Sequence, residues 1–172
     1  LRETYPGLHV LHSRAAIAGT RLRRMAHNDA MTGGWAAYAE EWMADSGFLT
    51  SDPLSPLFAR LMALRQAAMA LVDSSLHCGR MTPVDATALL TDEAMFEPHE
   101  AAAMVRQCCV APTRAVATLL GVTALVALRE EAREKLGARF DAATFHGAVC
   151  DGGILPPSLV RVSTWCPFAA NW

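Results

Sequence analysis

Two pairs of side chains stand at spacings that chemistry uses. Asp73 and His77 are four apart in an apolar stretch, "ALVDSSLH". On a helix they face the same way, and a carboxylate there can orient an imidazole and raise its basicity. The competing reading is a helix-surface pair, or a histidine bonded into the core. His9 and His12 are three apart, a spacing compatible with metal ligation, with Glu3 shortly before them. A lone pair of this kind is common. His146 follows Asp141 on a short predicted helix, where a structural histidine is the plainer reading, and His27 and His99 carry no pattern. Trp35, Tyr38 and Trp42 form an aromatic stripe at helical spacing, which fits a core as well as a pocket. No phosphate loop, nucleophile elbow or cysteine–histidine nucleophile pair is present.

The elements that must position these residues are helical. A first helix is expected after Gly7, with Leu8, Leu11 and Ala15 on one face. Thr32-Gly33-Gly34 reads as a break, followed by a helix from Trp35 that Gly47 stops. "SDPLSP" opens a long helix over about 56–78, with Gly79 beyond it. Its apolar positions Leu57, Leu61, Leu64, Ala68 and Leu71 recur at helical spacing. Thr82, Pro83 and Asp85 make a capping box for the next helix. Glu97-Pro98 starts another to about Val110. Ala111-Pro112 separates it from a long helix over about 113–136, with Gly137 past its end. Asp141 caps a short helix to about Cys150, Asp151-Gly152-Gly153 turns the chain, and Pro156-Pro157 begins a last short helix. No alternating strand pattern runs beyond about four residues, so the fold class is all-α.

Composition bounds the rest. The 172 residues predict a single helical domain, and 52% apolar content argues against disorder. A net charge of −2 gives no case for nucleic acid. Of 15 basic residues only Lys135 is lysine, which together with the abundant alanine hints at a GC-rich genome. Five cysteines, without CxxC spacing, fit reduced thiols in a cytoplasmic protein. The longest uncharged run, Ala115 to Leu128, is too short to span a bilayer, so no membrane partner is expected.

Five segments resemble, in order, the motifs of the bacterial metallopeptidase-like proteins called domain of unknown function 885. They are "RETYPGLH" (Arg2 to His9), "GGWAAYAE" (Gly33 to Glu40), "VDSSLH" (Val72 to His77), "PTRAVATLLG" (Pro112 to Gly121) and "ARFDAATFH" (Ala138 to His146). The resemblance implies the C-terminal catalytic half of a gluzincin-like helical metallopeptidase. It also implies zinc ligands at positions that here hold Arg2, Leu8 and Gly33. A catalytic zinc needs about three protein ligands. Arginine repels a metal, and leucine and glycine supply none, so no metal or other cofactor is expected. The family's glutamine becomes Arg114, and its tyrosine-lysine pair becomes Thr118-Leu119. Glu3, His9, Tyr38, Asp73, His77 and His146 survive.

Family members carry a further helical half, so a second chain is expected to supply it and this chain is read as half of a split protein. The altered site suggests a metal-independent biosynthetic subunit acting on a small anionic substrate. Arg2 and Arg114 would hold the anion, with His9, Tyr38 and His146 lining the site. Glu3 would take a proton, with Asp73 and His77 as a second base pair. The reaction expected is a displacement or elimination with an anionic leaving group, such as amine ring closure to an aziridine. The GC-rich composition is compatible with actinobacterial natural-product chemistry. The alternatives are a non-catalytic pseudo-peptidase scaffold and a residual zinc hydrolase.

Overall fold

The computed structural model describes residues 1–18, 20–48 and 54–160. Among them there is no strand, and eight α-helices precede a short helical stretch over 157–160. The eight are α1 (Leu8–Ala16), α2 (Arg21–Met25), α3 (Asp29–Asp45), α4 (Ser55–His77), α5 (Pro83–Asp92), α6 (Pro98–Val110), α7 (Arg114–Leu136) and α8 (Ala142–Asp151). The all-α expectation is met. The described residues divide into two compact units, one of residues 1–40 with 120–160, the other of residues 41–119. Both boundaries fall inside helices, α3 and α7.

Local chemistry sets several helix ends. The Thr82 hydroxyl accepts from the Asp85 N–H, and the Asp85 carboxylate accepts from the Thr82 N–H, closing the box at the start of α5. Asp141 accepts from the Thr144 N–H at the start of α8. Gly79 and Gly137, just past α4 and α7, have φ of +66° and +52°, which glycine adopts without a Cβ penalty. The Asp151-Gly152-Gly153 turn is present, and Val160 N–H donates to Pro156 in the helical turn that follows.

The expected break at Thr32-Gly33-Gly34 is wrong. Helix α3 begins at Asp29, where Asn28 Oδ1 accepts from the Met31 N–H, and runs through both glycines. Glycine costs a helix interior about 1 kcal/mol, but Gly34 lies against Gly121 of α7. A Cβ on Gly34 would sit 2.5 Å from the Gly121 carbonyl carbon. The glycine allows a close helix crossing and does not end the helix. Helix α2 has no counterpart in the sequence reading. It is short and exposed, started by the Thr20 hydroxyl accepting from the Arg23 N–H, and lacks an apolar period that would reveal it.

In the second unit α4, α5 and α6 enclose Ala68, Val72, Ala86, Leu90, Phe96, Val105 and Cys108. Most of the apolar period of α4 lies off its buried face, Ala68 being the exception. Leu57, Leu64 and Leu71 are 67%, 42% and 51% exposed, while Val72 and Asp73 are buried. In the first unit Leu11, Met31, Trp35, Tyr38, Leu125 and Val149 are buried. No single helix among the described residues is long and apolar enough to cross a membrane.

Candidate functional site

The first unit gathers the two N-terminal motifs. The carbonyls of Leu1, Arg2 and Glu3 accept from the N–H groups of Gly7, Leu8 and His9. The chain start thereby satisfies donors that the first turn of α1 would otherwise leave open. The wrap is tight: a Cβ on Gly7 would meet Arg2 O at 1.9 Å. Trp35 Nε1 on α3 donates to the carbonyls of Pro6 and Gly7, at 3.0 and 3.2 Å, fixing the Tyr-Pro-Gly turn to the second motif.

Arg2 does not pair with its neighbour Glu3. Its Nε donates to Glu40 Oε2 at 3.1 Å, at the far end of "GGWAAYAE". Glu40 lies seven residues after Gly33, hence on the same face of α3. Glu3 and His9 are exposed, and among the described residues neither side chain has an ion-pair partner. His12 is exposed too.

Tyr38 and His146 are brought together from segments 108 residues apart, with Tyr38 Oη and His146 Nε2 at 2.7 Å. Tyr38 is 1% exposed. Trp35 and Phe145 flank the imidazole, with ring centroids 5.9 and 5.4 Å from it. The Arg129 guanidinium lies 5.6 Å from the centre of the Tyr38 ring and donates from Nε to Glu130 at 2.9 Å. Burial works against the Arg129 charge, yet these partners hold its pKa above the ordinary value. Burial first, then the Arg129 charge, pushes the His146 pKa down to about 4, with Asp141 acting weakly the other way. His146 is therefore neutral at physiological pH.

The second unit holds Asp73, His77 and Arg114. The Asp73 carboxylate is buried and accepts from the N–H groups of Thr113, Ala115 and Val116, at 2.9, 3.0 and 3.3 Å. It caps the start of α7. His77 Nε2 lies 3.1 Å from the Cys108 carbonyl and 3.6 Å from Asp73, tying α4 to α6. The i,i+4 geometry is as expected, but both side chains are engaged in holding helices. Arg114 is exposed at the first position of α7, and its side chain pairs with no described residue.

Among the described residues no three His, Cys, Asp or Glu side chains are grouped so as to hold a metal ion. Cys78, Cys108, Cys109 and Cys150 are free thiols. Burial raises Cys108 to about 11 and Cys150 to about 12, so neither is a nucleophile near neutral pH.

Sequence reasoning missed Glu40 and Arg129. Glu40 stood inside a quoted motif, and its charge partner lay 38 residues away. Arg129 had only one signal, an arginine closing the apolar run of α7.

A family model described as "bacterial protein of unknown function (DUF885)" matches residues 1–163. The chain belongs to this family. Two solved structures share the DUF885 chain's fold. A candidate lipoprotein from Colwellia psychrerythraea superposes with a TM-score of 0.88 at 28% identity, over 99% of this chain and 29% of that one. A candidate lipoprotein of unknown function from Shewanella oneidensis gives 0.85 at 27% identity, over 94% of this chain and 30% of that one. The DUF885 chain thus spans under a third of the length of these relatives. No curated protein matches.

Proposed function

We propose that this chain is one subunit of a heteromeric, metal-independent biosynthetic enzyme that acts on a small anionic substrate. The reaction is a displacement or elimination with an anionic leaving group. Amine attack that closes a small ring, such as an aziridine, is the concrete case. The observation that carries the reading is the Arg2–Glu40 ion pair.

The chain resembles a metallopeptidase half whose ligand positions hold Arg2, Leu8 and Gly33. Zinc does not fit these residues. Glycine and leucine offer no donor, and the arginine keeps its charge across the accessible pH range. With Nε spent on Glu40, the terminal nitrogens of Arg2 remain as the parallel donors that a carboxylate, phosphate or sulfate takes. Glu3, exposed beside it, accepts the proton released by the attacking amine. Arg114 is a second candidate for the anion. Asp73 and His77 hold helices and are not assigned a proton-transfer step.

A second chain belongs to the same proposal. The solved relatives are more than three times as long, and Leu57, Phe58, Leu64 and Leu71 turn apolar side chains outward on α4. A helical partner would cover such a face. The cytoplasmic location rests on the reduced-thiol expectation alone, and the lipoprotein descriptions of the relatives lend it no support.

In the reconstituted complex, Glu3→Gln is expected to lower turnover by about 10²–10⁴-fold. Arg2→Gln is expected to raise the KM for the anionic substrate, and Arg114→Ala tests the second arginine. Circular dichroism should show all three folded. Full activity in Glu3→Gln would remove the base from this account.

The scaffold reading has its own support: Arg2 is charge-compensated, and Asp73 and His77 are committed to structure. It predicts that none of these substitutions changes turnover while loss of the whole chain does.

A further inference from the structure

We propose that the segment over 17–25 docks on an anionic lipid bilayer, with Leu22 and Met25 entering the headgroup layer and Arg21 and Arg24 binding lipid phosphates. Helix α2 is amphipathic in the wrong sense for a core. It buries no residue, and its apolar side chains Leu22 and Met25 are 76% and 72% exposed. Three positions apart, they share one face. Ile17, shortly before them, is 79% exposed. The helix is seated through backbone and arginine instead. Arg24 Nη1 donates to the Ala18 carbonyl at 3.2 Å. The turn at Gly153 passes so close that a Cβ there would lie 2.9 Å from the Arg23 carbonyl oxygen.

Charge is concentrated in the same place. The chain carries a net charge of −2, yet no acidic residue stands between Glu3 and Asp29, where there are four arginines. Arg14 is compensated by two bonds to Asp151, at 2.7 and 2.6 Å. Arg21, Arg23 and Arg24 make no ion pair with any described residue. Uncompensated arginines beside outward apolar side chains complement a surface that is anionic and also takes apolar groups. Size argues against a protein as the occupant. A stable interface takes about 800 Å² and about 20–30 residues a side, whereas this patch rests on one nine-residue stretch. A bilayer presents no contour to be matched, and contact with its surface needs no spanning helix.

The test is co-sedimentation of the full chain with phosphatidylcholine vesicles, pure or holding about 40 mol% phosphatidylserine. Binding is expected to the anionic vesicles alone, and to weaken from about 0.05 to about 0.5 M salt. Arg21→Gln with Arg24→Gln should weaken it about 25-fold, near fivefold for each charge. Leu22→Gln with Met25→Gln should weaken it about tenfold or more. Val84→Gln with Met95→Gln, exposed apolar positions whose sequence neighbours are Asp85 and Glu93, should change nothing. Equal binding to both vesicles, binding to neither, or an equal loss in the Val84, Met95 control overturns the proposal. A dimer in sedimentation velocity that the Leu22, Met25 variant abolishes would assign the patch to a second copy and overturn it too. So would vesicle binding that is lost in the reconstituted complex, which assigns the patch to the partner chain. If a variant does not fold, the comparison of the two vesicles with the wild type still decides. No readout requires turnover, so failure here is distinct from failure of the proposed function.

Discussion

Gly121→Ala is expected to destabilise the protein by about 3 kcal/mol or more, the upper end of what overpacking costs. A Cβ at Gly121 would lie 1.8 Å from the Ala30 carbonyl oxygen, 2.7 Å from its carbon and 2.9 Å from the Gly34 Cα. All three are backbone atoms of α3, which no rotamer change can move. The two helices must separate, and the packing of Trp35 and Tyr38 loosens with them. Helix propensity opposes this loss, because alanine is favoured over glycine by about 1 kcal/mol. The net effect therefore isolates the crossing. Denaturant melts should show a far larger drop for Gly121→Ala than for Gly79→Ala. A Cβ at Gly79 meets nothing within 4 Å, and only its positive φ is at stake. Equal small losses would contradict the close crossing.

Asp73→Ala carries the second large effect, about 3 kcal/mol. Its carboxylate serves three backbone N–H groups at the start of α7 from a position 1% exposed. Deleting it strands those donors without a replacement. One of them belongs to Thr113, whose φ of +69° is costly for a β-branched residue and is held by this bond. Asp73→Asn keeps one acceptor oxygen and should lose less. The order Ala worse than Asn, measured by denaturant unfolding, separates capping from mere packing. An alanine variant as stable as wild type would return Asp73 to the list of candidate bases.

These two cases show where the sequence was readable. Signals that act within a few residues were legible: the Thr82–Asp85 box, the Asp141 cap, and the glycines past α4 and α7. Signals that need a distant partner were not. Gly33-Gly34 looks like a helix breaker until Gly121, 87 positions on, is placed against it. The Asp73–His77 spacing reads as chemistry until the three N–H groups of α7 appear. The buried face of α4 was illegible for a related reason. Its periodic leucines identify a helix, but only the packing of α5 and α6 decides which side is covered.

For the site the resemblance supplied the residues, and the fold supplied their pairings. Tyr38 meeting His146 and Arg2 meeting Glu40 are long-range contacts that no local pattern encodes. Arg129 was invisible because one arginine closing an apolar run within a helix ordinarily marks only solvent.

The proposed function holds that an ion-paired arginine, Arg2, stands where the resemblance implies a zinc ligand. The direct measurement is zinc content of the purified protein, alone and with its partner, together with thermal unfolding before and after a chelator. The predicted result is substoichiometric zinc and an unchanged Tm. One tightly held zinc per chain, with a Tm that falls on chelation, would contradict it.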